Sequence, residues 1–367
     1  MNRDEFAYYL RLSLCPGIGP VNFRKLLETE NFDISRLFSS SNKHLSALGL
    51  NQKQITALNN PQQDKIDQAL TWQESDPTHH LLILNDPDYP DLLREIRDAP
   101  PVLYGLGNIT LLKSPQIALI GSRNCTTGGA STAHEFAAYL AKSGLTITSG
   151  MALGIDKHAH QGALDATGNT IAVIGTGIDR IYPSKNKQLA HQIAENGLII
   201  SEFPIGTPPL SENFPKRNRL ISGLSLATLV VEATRKSGSL ITANSSIEQG
   251  REVFAIPGSI HNPQAKGCHH LIRQGAKLVD QASDIIEDIG SLLGFVATQD
   301  ETQNEPEAHQ LDAEYQQLLD NIGYDPVSIE TLVQRCGLTI EQLSSMLLIL
   351  ELNEHIQTAP GSQYVRC

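Results

Sequence analysis

The stretch Phe214-Pro215-Lys216-Arg217-Asn218-Arg219 holds three cations, an amide and an aromatic ring within six residues. Cations at this density can follow a sugar-phosphate backbone, and an aromatic face can stack a base without reading sequence. The same residues also suit a solvated helix start with the phenylalanine turned into the core. Asn218 favours a site, because a helix interior offers its amide little to bond. Gly121-Ser122-Arg123 follows an apolar run. A small turn there lets backbone N–H groups face an anion, and Arg123 adds a fork of donors. Ser237-Gly238-Ser239 opens a helical stretch, where Gly238 and Ser239 offer either an anion-ready N-terminus or an ordinary N-cap. Tyr182-Pro183-Ser184-Lys185-Asn186-Lys187 adds two more cations, of which Lys185 would extend a track. All four segments fall at the ends of predicted strands, so they point to one shared phosphate-binding rim.

Other chemistries fail on spacing. No Gly-x-x-x-x-Gly-Lys-Ser/Thr segment exists, which excludes a P-loop. Gly175-Thr176-Gly177 begins like a dinucleotide fingerprint, but Arg180 stands at the third glycine position, where its bulk would spoil helix–strand packing. His158 with His160, and His269 with His270, cannot set two imidazoles on one helix face beside a carboxylate. No Cys-x-x-Cys occurs among five scattered cysteines, and there is no Gly-x-Ser-x-Gly elbow. The expectation is no metal, no cofactor and no catalytic residue. Asp156, Glu232 and Glu248 remain as carboxylates that a hydrolase could use.

The elements that must position these residues begin at 117. Short apolar runs at 117–120, 145–148, 170–174, 197–200, 227–231 and 253–256 alternate with helical stretches such as 129–142, 186–195 and 239–249. That alternation predicts an α/β, doubly wound, mostly parallel Rossmann-like sheet covered on both faces. Ligands of such sheets bind beyond the carboxyl ends of the strands. Residues 1–75 read as a helical domain around the turn Pro16-Gly17-Ile18-Gly19-Pro20, either a phosphate-holding hairpin or a plain turn. The proline-punctuated stretch 76–116 reads as a loop-rich connector, and 117–296 as the core. An acidic linker is expected at 297–310. Residues 311–367 outline three helices and a terminal hairpin through Pro360-Gly361, a winged-helix pattern with Ser328 and Thr339 as helix caps. The predicted recognition helix, 339–352, carries Glu341 and Glu351 and no Lys or Arg, which favours protein contact over DNA.

Composition agrees with a soluble protein of two or three domains: 367 residues, 40% hydrophobic and 19% charged. No apolar run reaches the length of a membrane helix, the opening Met1–Phe6 stretch lacks a signal-like apolar region, and the odd, unpaired cysteines suit a reducing compartment. A cytoplasmic location without membrane insertion is the expectation. The net charge of −12 argues against a bulk nucleic-acid binder. Its distribution does not: residues 105–295 carry 16 Lys+Arg against 14 Asp+Glu, whereas 296–367 carry 2 against 12. A backbone site therefore belongs in the middle block.

Taken in order, Asp98-Ala99-Pro100-Pro101-Val102-Leu103-Tyr104-Gly105, Ile120-Gly121-Ser122-Arg123, Ser149-Gly150-Met151-Ala152-Leu153-Gly154-Ile155-Asp156, the 214–219 cluster, Ser237-Gly238-Ser239-Leu240-Ile241-Thr242-Ala243 and Gly250–Gly258 resemble the DprA/Smf family of DNA-processing proteins of bacterial transformation. Leu153 departs from the arginine common in that family. The resemblance implies a sterile-alpha-motif-like N-terminal domain, an extended Rossmann core and a C-terminal winged helix. It implies sequence-independent binding of single-stranded DNA, protection of incoming DNA, and loading of the RecA recombinase. The DNA-binding candidates on this reading are Gly121, Ser122, Arg123, Lys185, Phe214, Lys216, Arg217, Asn218, Arg219, Gly238 and Ser239. It also implies a homodimer through the late core, with Leu271, Ile272 and Leu278 as interface candidates or ordinary core. Two other readings stay open: a Rossmann-fold nucleotide phosphoribohydrolase, although the Pro-Gly-Gly run of that group is absent here, and a nucleotide-sensing adaptor.

Overall fold

Every residue of the strand Gln116–Ile120 is buried, as a strand covered by helices on both faces requires. In the computed structural model, which describes residues 3–293, 313–352, 355–359 and 363–366, this strand lies near the middle of a nine-stranded sheet. In chain order its members are β1 (His79–Ile83), β2 (Val102–Gly107), β3 (Gln116–Ile120), β4 (Thr146–Ser149), β5 (Thr170–Val173), β6 (Leu198–Ser201), β7 (Ala227–Val230), β8 (Glu252–Ala255) and β9 (Lys277–Leu278). Their spatial order is β1-β2-β6-β5-β4-β3-β7-β8-β9. Strands β3 to β9 pair in parallel, and β2 joins β6 antiparallel. From β3 the chain winds outward through β4, β5 and β6, then returns to place β7 on the other side of β3. That reversal is the topological switch point, where such sheets open a crevice for ligand.

The six expected core strands are all present. The connector is a correction: 76–116 contributes β1 and β2, which extend the sheet by two antiparallel strands. Its prolines lie outside the paired residues, and Pro100 and Pro101 sit just before β2, where a missing N–H costs no ladder bond.

The helical domain is not a separate bead. Tyr9, Leu27 and Ile66 belong to the same continuous apolar cluster as Leu103, Ile171 and Leu220 of the sheet layer. Arg24 reaches across and donates to the carbonyl of Ile96 at 3.0 Å. Asp33 and the Asn51/Gln54 capping box start two of its helices.

The C-terminal unit has its own core of Leu318, Leu319, Leu332, Leu343, Leu347 and Ile356. Its strands β10 (Val327–Ser328), β11 (Ile356–Ala359) and β12 (Gln363–Arg366) form a sheet in the order β10-β12-β11. Ser328 and Thr339 act as the expected caps, and Gly337 ends the helix Ile329–Cys336 in the left-handed conformation. The expected linker 297–310 and the Pro360-Gly361 turn lie outside the described residues.

Candidate nucleic-acid interface

A hollow of about 510 Å³ opens at the carboxyl ends of β3 and β7, at the switch point. Its walls include Gly121, Ser122, Arg123, Arg217, Asn218, Gly238 and Ser239, so seven of the candidates converge from three separated segments. Arg123 is exposed and forms no ion pair among the described residues. Its guanidinium lies 5.8 Å from the centroid of the Phe214 ring, and that ring lies 5.5 Å from the ring of Tyr182. Phe214 is half-buried, resting against Gly175. The cation, the two rings and the small turn thus make one polar-to-aromatic surface that can hold a phosphate beside a base.

Three expected contacts need correction. Arg217 is not a surface cation. It is 4% exposed, and its Nη1 donates to the Gly150 carbonyl at 2.7 Å and to the Val173 carbonyl. Burial, opposed by the nearby Asp156 carboxylate, pulls its pKa down to about 10. Arg219 is held by Glu202 at 2.6 Å and Asp98 at 2.8 Å, with its side chain 13% exposed. It lines a different hollow of about 920 Å³ together with Lys216 and Arg251. The physical cause is helix phase. Phe214, Lys216, Arg217, Asn218 and Arg219 all belong to the helix Asn213–Leu224, where each step turns the side chain by about 100°. Phe214, Arg217 and Asn218 face the sheet crevice; Lys216 and Arg219 point to the opposite flank. Neighbours in sequence are therefore not neighbours in the site.

The backbone donors are also fewer than expected. The Ser122 N–H already donates to the Glu232 carbonyl at 2.7 Å, and the Ser239 N–H to Ser237 Oγ at 3.3 Å. Lys185 is exposed in the loop after β5. It does not line the Gly121 hollow, but its neighbour Asn186 is buried and donates to the carbonyls of Met151 (2.9 Å) and Ala152 (3.1 Å). That ties the Lys185 loop to the end of β4. Arg11 and Arg24 donate to backbone carbonyls, so neither is a free cation for the N-terminal hairpin.

Of the interface candidates, Leu271 is a further correction. It is 1% exposed and packs in the main apolar cluster, so no second chain can reach it. Ile272 is half-buried, and Leu278 is 53% exposed on the edge strand β9.

The site also draws in Asn124, Ala152, Asp156, Thr234, Thr242 and Gln264, which sequence reasoning left out of the rim. Asp156 could have been found from its place at the start of the helix Ile155–Ala166; Gln264 arrives from a distant turn with no local signal. Asp156 is buried, and its Oδ2 accepts from the N–H groups of Gly150 (3.2 Å) and Ala152 (3.3 Å). Burial raises its pKa, while Arg217 works against that rise. Glu232 is a cap: its carboxylate accepts from Thr126 N–H at 2.9 Å and from Thr126 Oγ1 at 2.6 Å, just before the helix Thr127–Lys142. Glu248 lies on the Lys216 flank. Among the described residues no group of three His, Cys, Asp or Glu is placed to hold a metal, and no helix is long and apolar enough to cross a membrane.

Comparison with known proteins converges on one family. A family model described as DNA recombination-mediator protein A matches residues 80–290, a DprA winged helix domain matches 302–362, and an SMF/DprA SAM domain matches 1–71. Protein Smf of Escherichia coli is 40% identical over 88% of this chain and 86% of its own length. DNA processing protein DprA of Streptococcus pneumoniae is 46% identical over 61% of this chain and 79% of its own. A solved structure of the S. pneumoniae DNA processing protein A superposes with a TM-score of 0.69 at 36% identity, covering 78% of this chain and 98% of that one. A Helicobacter pylori DNA processing protein A, whose structure concerns its single-stranded DNA binding mode, superposes with a TM-score of 0.53 at 31% identity, covering 59% and 96%.

Proposed function

The chain belongs to the DNA recombination-mediator protein A family, also called DprA/Smf, and on that premise we propose that it binds single-stranded DNA without sequence preference during DNA processing in bacterial transformation and recombination. The observation that carries this reading is Arg123, an exposed and unpaired cation at the sheet's switch point, set against the ring of Phe214. Arg123 holds a backbone phosphate. Phe214 and Tyr182 offer rings to the adjoining base, and the exposed Lys185 and Lys216 attract the strand from either flank. Buried Arg217 positions the site and does not touch the strand. Loading of RecA and a homodimer closed through the exposed edge strand β9 belong to the same proposal, as does a cytoplasmic location.

The hydrolytic reading gains nothing from this geometry. Both carboxylate oxygens of Glu232 are engaged by Thr126, and Glu248 stands on another face.

The test is binding of a labelled oligodeoxythymidine, followed by fluorescence anisotropy at two salt concentrations, against a duplex of equal length. Single-stranded DNA should bind more tightly. Arg123→Ala should weaken it and make the log–log salt dependence shallower by about 0.7, the single-strand value for one lost phosphate contact. A duplex preference, or an Arg123→Ala protein with unchanged affinity and slope, overturns the proposal.

A further inference from the structure

The helix Ile340–Leu352 of the C-terminal unit, the one the sequence marks as a recognition helix, is apolar on two sides. Its inner side is Leu343, Leu347 and Leu350, all buried in the core of that unit. Its outer side is apolar too: Leu348 is 57% exposed, and Ile340 and Ile349 are exposed with it. We propose that this outer face docks a basic amphipathic helix of a partner protein. The inference concerns another domain than the DNA site and stands independently of the single-stranded DNA reading.

Three observations carry it. The first is pattern. Ile340, Ser344 and Leu348 recur every four residues, so they share one row of the helix surface, and Ser345 and Ile349 share the next. All five are exposed. Large side chains with serines one turn back make the ridge-and-groove relief into which a second helix sets its own anchors. The second is charge. Glu351, three residues on from Leu348, is exposed. Residues 311–367 carry eight Asp+Glu, no lysine and two arginines, neither on this helix. Both arginines are engaged within the unit: Arg335 donates to the Asn321 carbonyl at 2.9 Å, and Arg366 pairs with Asp320 at 3.3 Å and lies over the ring of Tyr324. The face therefore offers apolar contact within a negative field. The third is what that field turns away. A nucleic acid meets no cation on the helix. A second copy of the unit brings the same excess of carboxylates. The stretch 297–310 of this chain has four carboxylates and no Lys or Arg. A helix with an apolar stripe flanked by Lys or Arg satisfies both the relief and the charge.

The full chain is titrated with a labelled helical peptide of about 18 residues, with leucines along one face and lysines along the other, and binding is followed by anisotropy. The control peptide has glutamate in place of every lysine. The lysine peptide should bind, less tightly as salt rises, and the glutamate peptide should not. Leu348→Ser should weaken the lysine peptide about fivefold or more, by removing an apolar anchor without adding charge. Glu351→Gln, which keeps an acceptor for the Thr358 hydroxyl, should weaken it about threefold. Both positions are exposed, so melting temperatures should hold. No binding of the lysine peptide, equal binding of the glutamate peptide, or unchanged affinity in both variants overturns the proposal. So does a Leu348→Ser protein that forms a smaller assembly by light scattering, which assigns the face to a second copy, or one that loses DNA affinity, which assigns it to nucleic acid. Single-stranded DNA binding that fails in the natural chain while the lysine peptide still binds overturns the DNA reading alone.

Discussion

Arg217 and Asp156 both bond the same buried residue, Gly150. Arg217 Nη1 donates to its carbonyl at 2.7 Å, and Asp156 Oδ2 accepts from its N–H at 3.2 Å. A Cβ on Gly150 would lie 2.7 Å from Asp156 Oδ2 and 2.8 Å from Arg217 Nη2, so only glycine lets the two charges close on it. The two residues tie the end of β4 to the helix that presents Phe214, and both line the hollow.

Removing the Arg217 side chain leaves the buried carbonyls of Gly150 and Val173 without that donor and buried Asp156 without a nearby opposing charge, at a cost of about 3–5 kcal/mol. Arg217→Ala should therefore lower the melting temperature by roughly 10 °C. Arg123→Ala should leave it nearly unchanged and act on DNA binding alone. Thermal denaturation and anisotropy on both variants separate these roles. An Arg217→Ala protein of full stability that has lost only DNA affinity would return Arg217 to the strand-contacting set.

These two arginines also mark how far residue types can be read without coordinates. The runs at 117–120 and 227–231 are continuous and apolar because helices cover both faces, and that signal places β3, β7 and the switch point between them. The turn at Gly121 and the Ser-Gly-Ser at 237–239 then fall where ligands bind. β1 and β2 were hidden by the prolines around them, and β9 has two residues, too few for any periodicity. Inside the basic cluster, proximity in sequence stood in for proximity in space. A turn of about 100° per residue sends Arg219 to Glu202 and Asp98 while Arg217 lines the hollow.

Gly154 precedes the helix Ile155–Ala166 with φ of 76°, a conformation that L side chains rarely adopt, and a Cβ there would overlap the carbonyl oxygen of Ser122. Since Ile155 N–H donates to that same carbonyl at 3.1 Å, the helix start and the Arg123 turn are docked backbone to backbone. Gly154→Ala should push the two apart, costing about 1–3 kcal/mol and displacing Arg123. The expected result is a lower melting temperature together with weaker DNA binding. A variant that keeps both would show that the turn does not depend on this contact.

His160 gives the fold an acid-sensitive point. It is completely buried, its Nδ1 lies 2.7 Å from Thr170 Oγ1, and its Nε2 has no partner. Burial chiefly, with the charge of Arg217 second, takes its pKa down to about 3. The folded chain therefore holds a neutral imidazole where the unfolded chain binds a proton below about 6.5. Stability should rise with pH between about 3 and 6.5, and fall as pH drops through that window, by up to about 1.4 kcal/mol per unit from this group. Urea unfolding of the natural chain and His160→Gln across the window isolates the effect, because buried Asp156 and Glu202 are common to both. Parallel stability curves would remove His160 as the source.

The proposed dimer places the edge strand β9 at its interface. Leu278 is 53% exposed there and pairs with Ala255 of β8, with no strand on its other edge among the described residues, whereas Leu271 is interior. An open edge with an exposed leucine is a ready surface for a second copy. Leu278→Asp should convert the proposed dimer to a monomer, read by light scattering, with its melting temperature changed little at equal concentration of folded chain. Leu271→Asp should instead unfold the core, because it buries a charge without a partner. The Leu278→Asp monomer should also bind a long single strand less tightly while its affinity for a strand filling one site is unchanged, since joining two tracks raises avidity without a new contact. A Leu278→Asp protein that remains dimeric would move the interface away from β9.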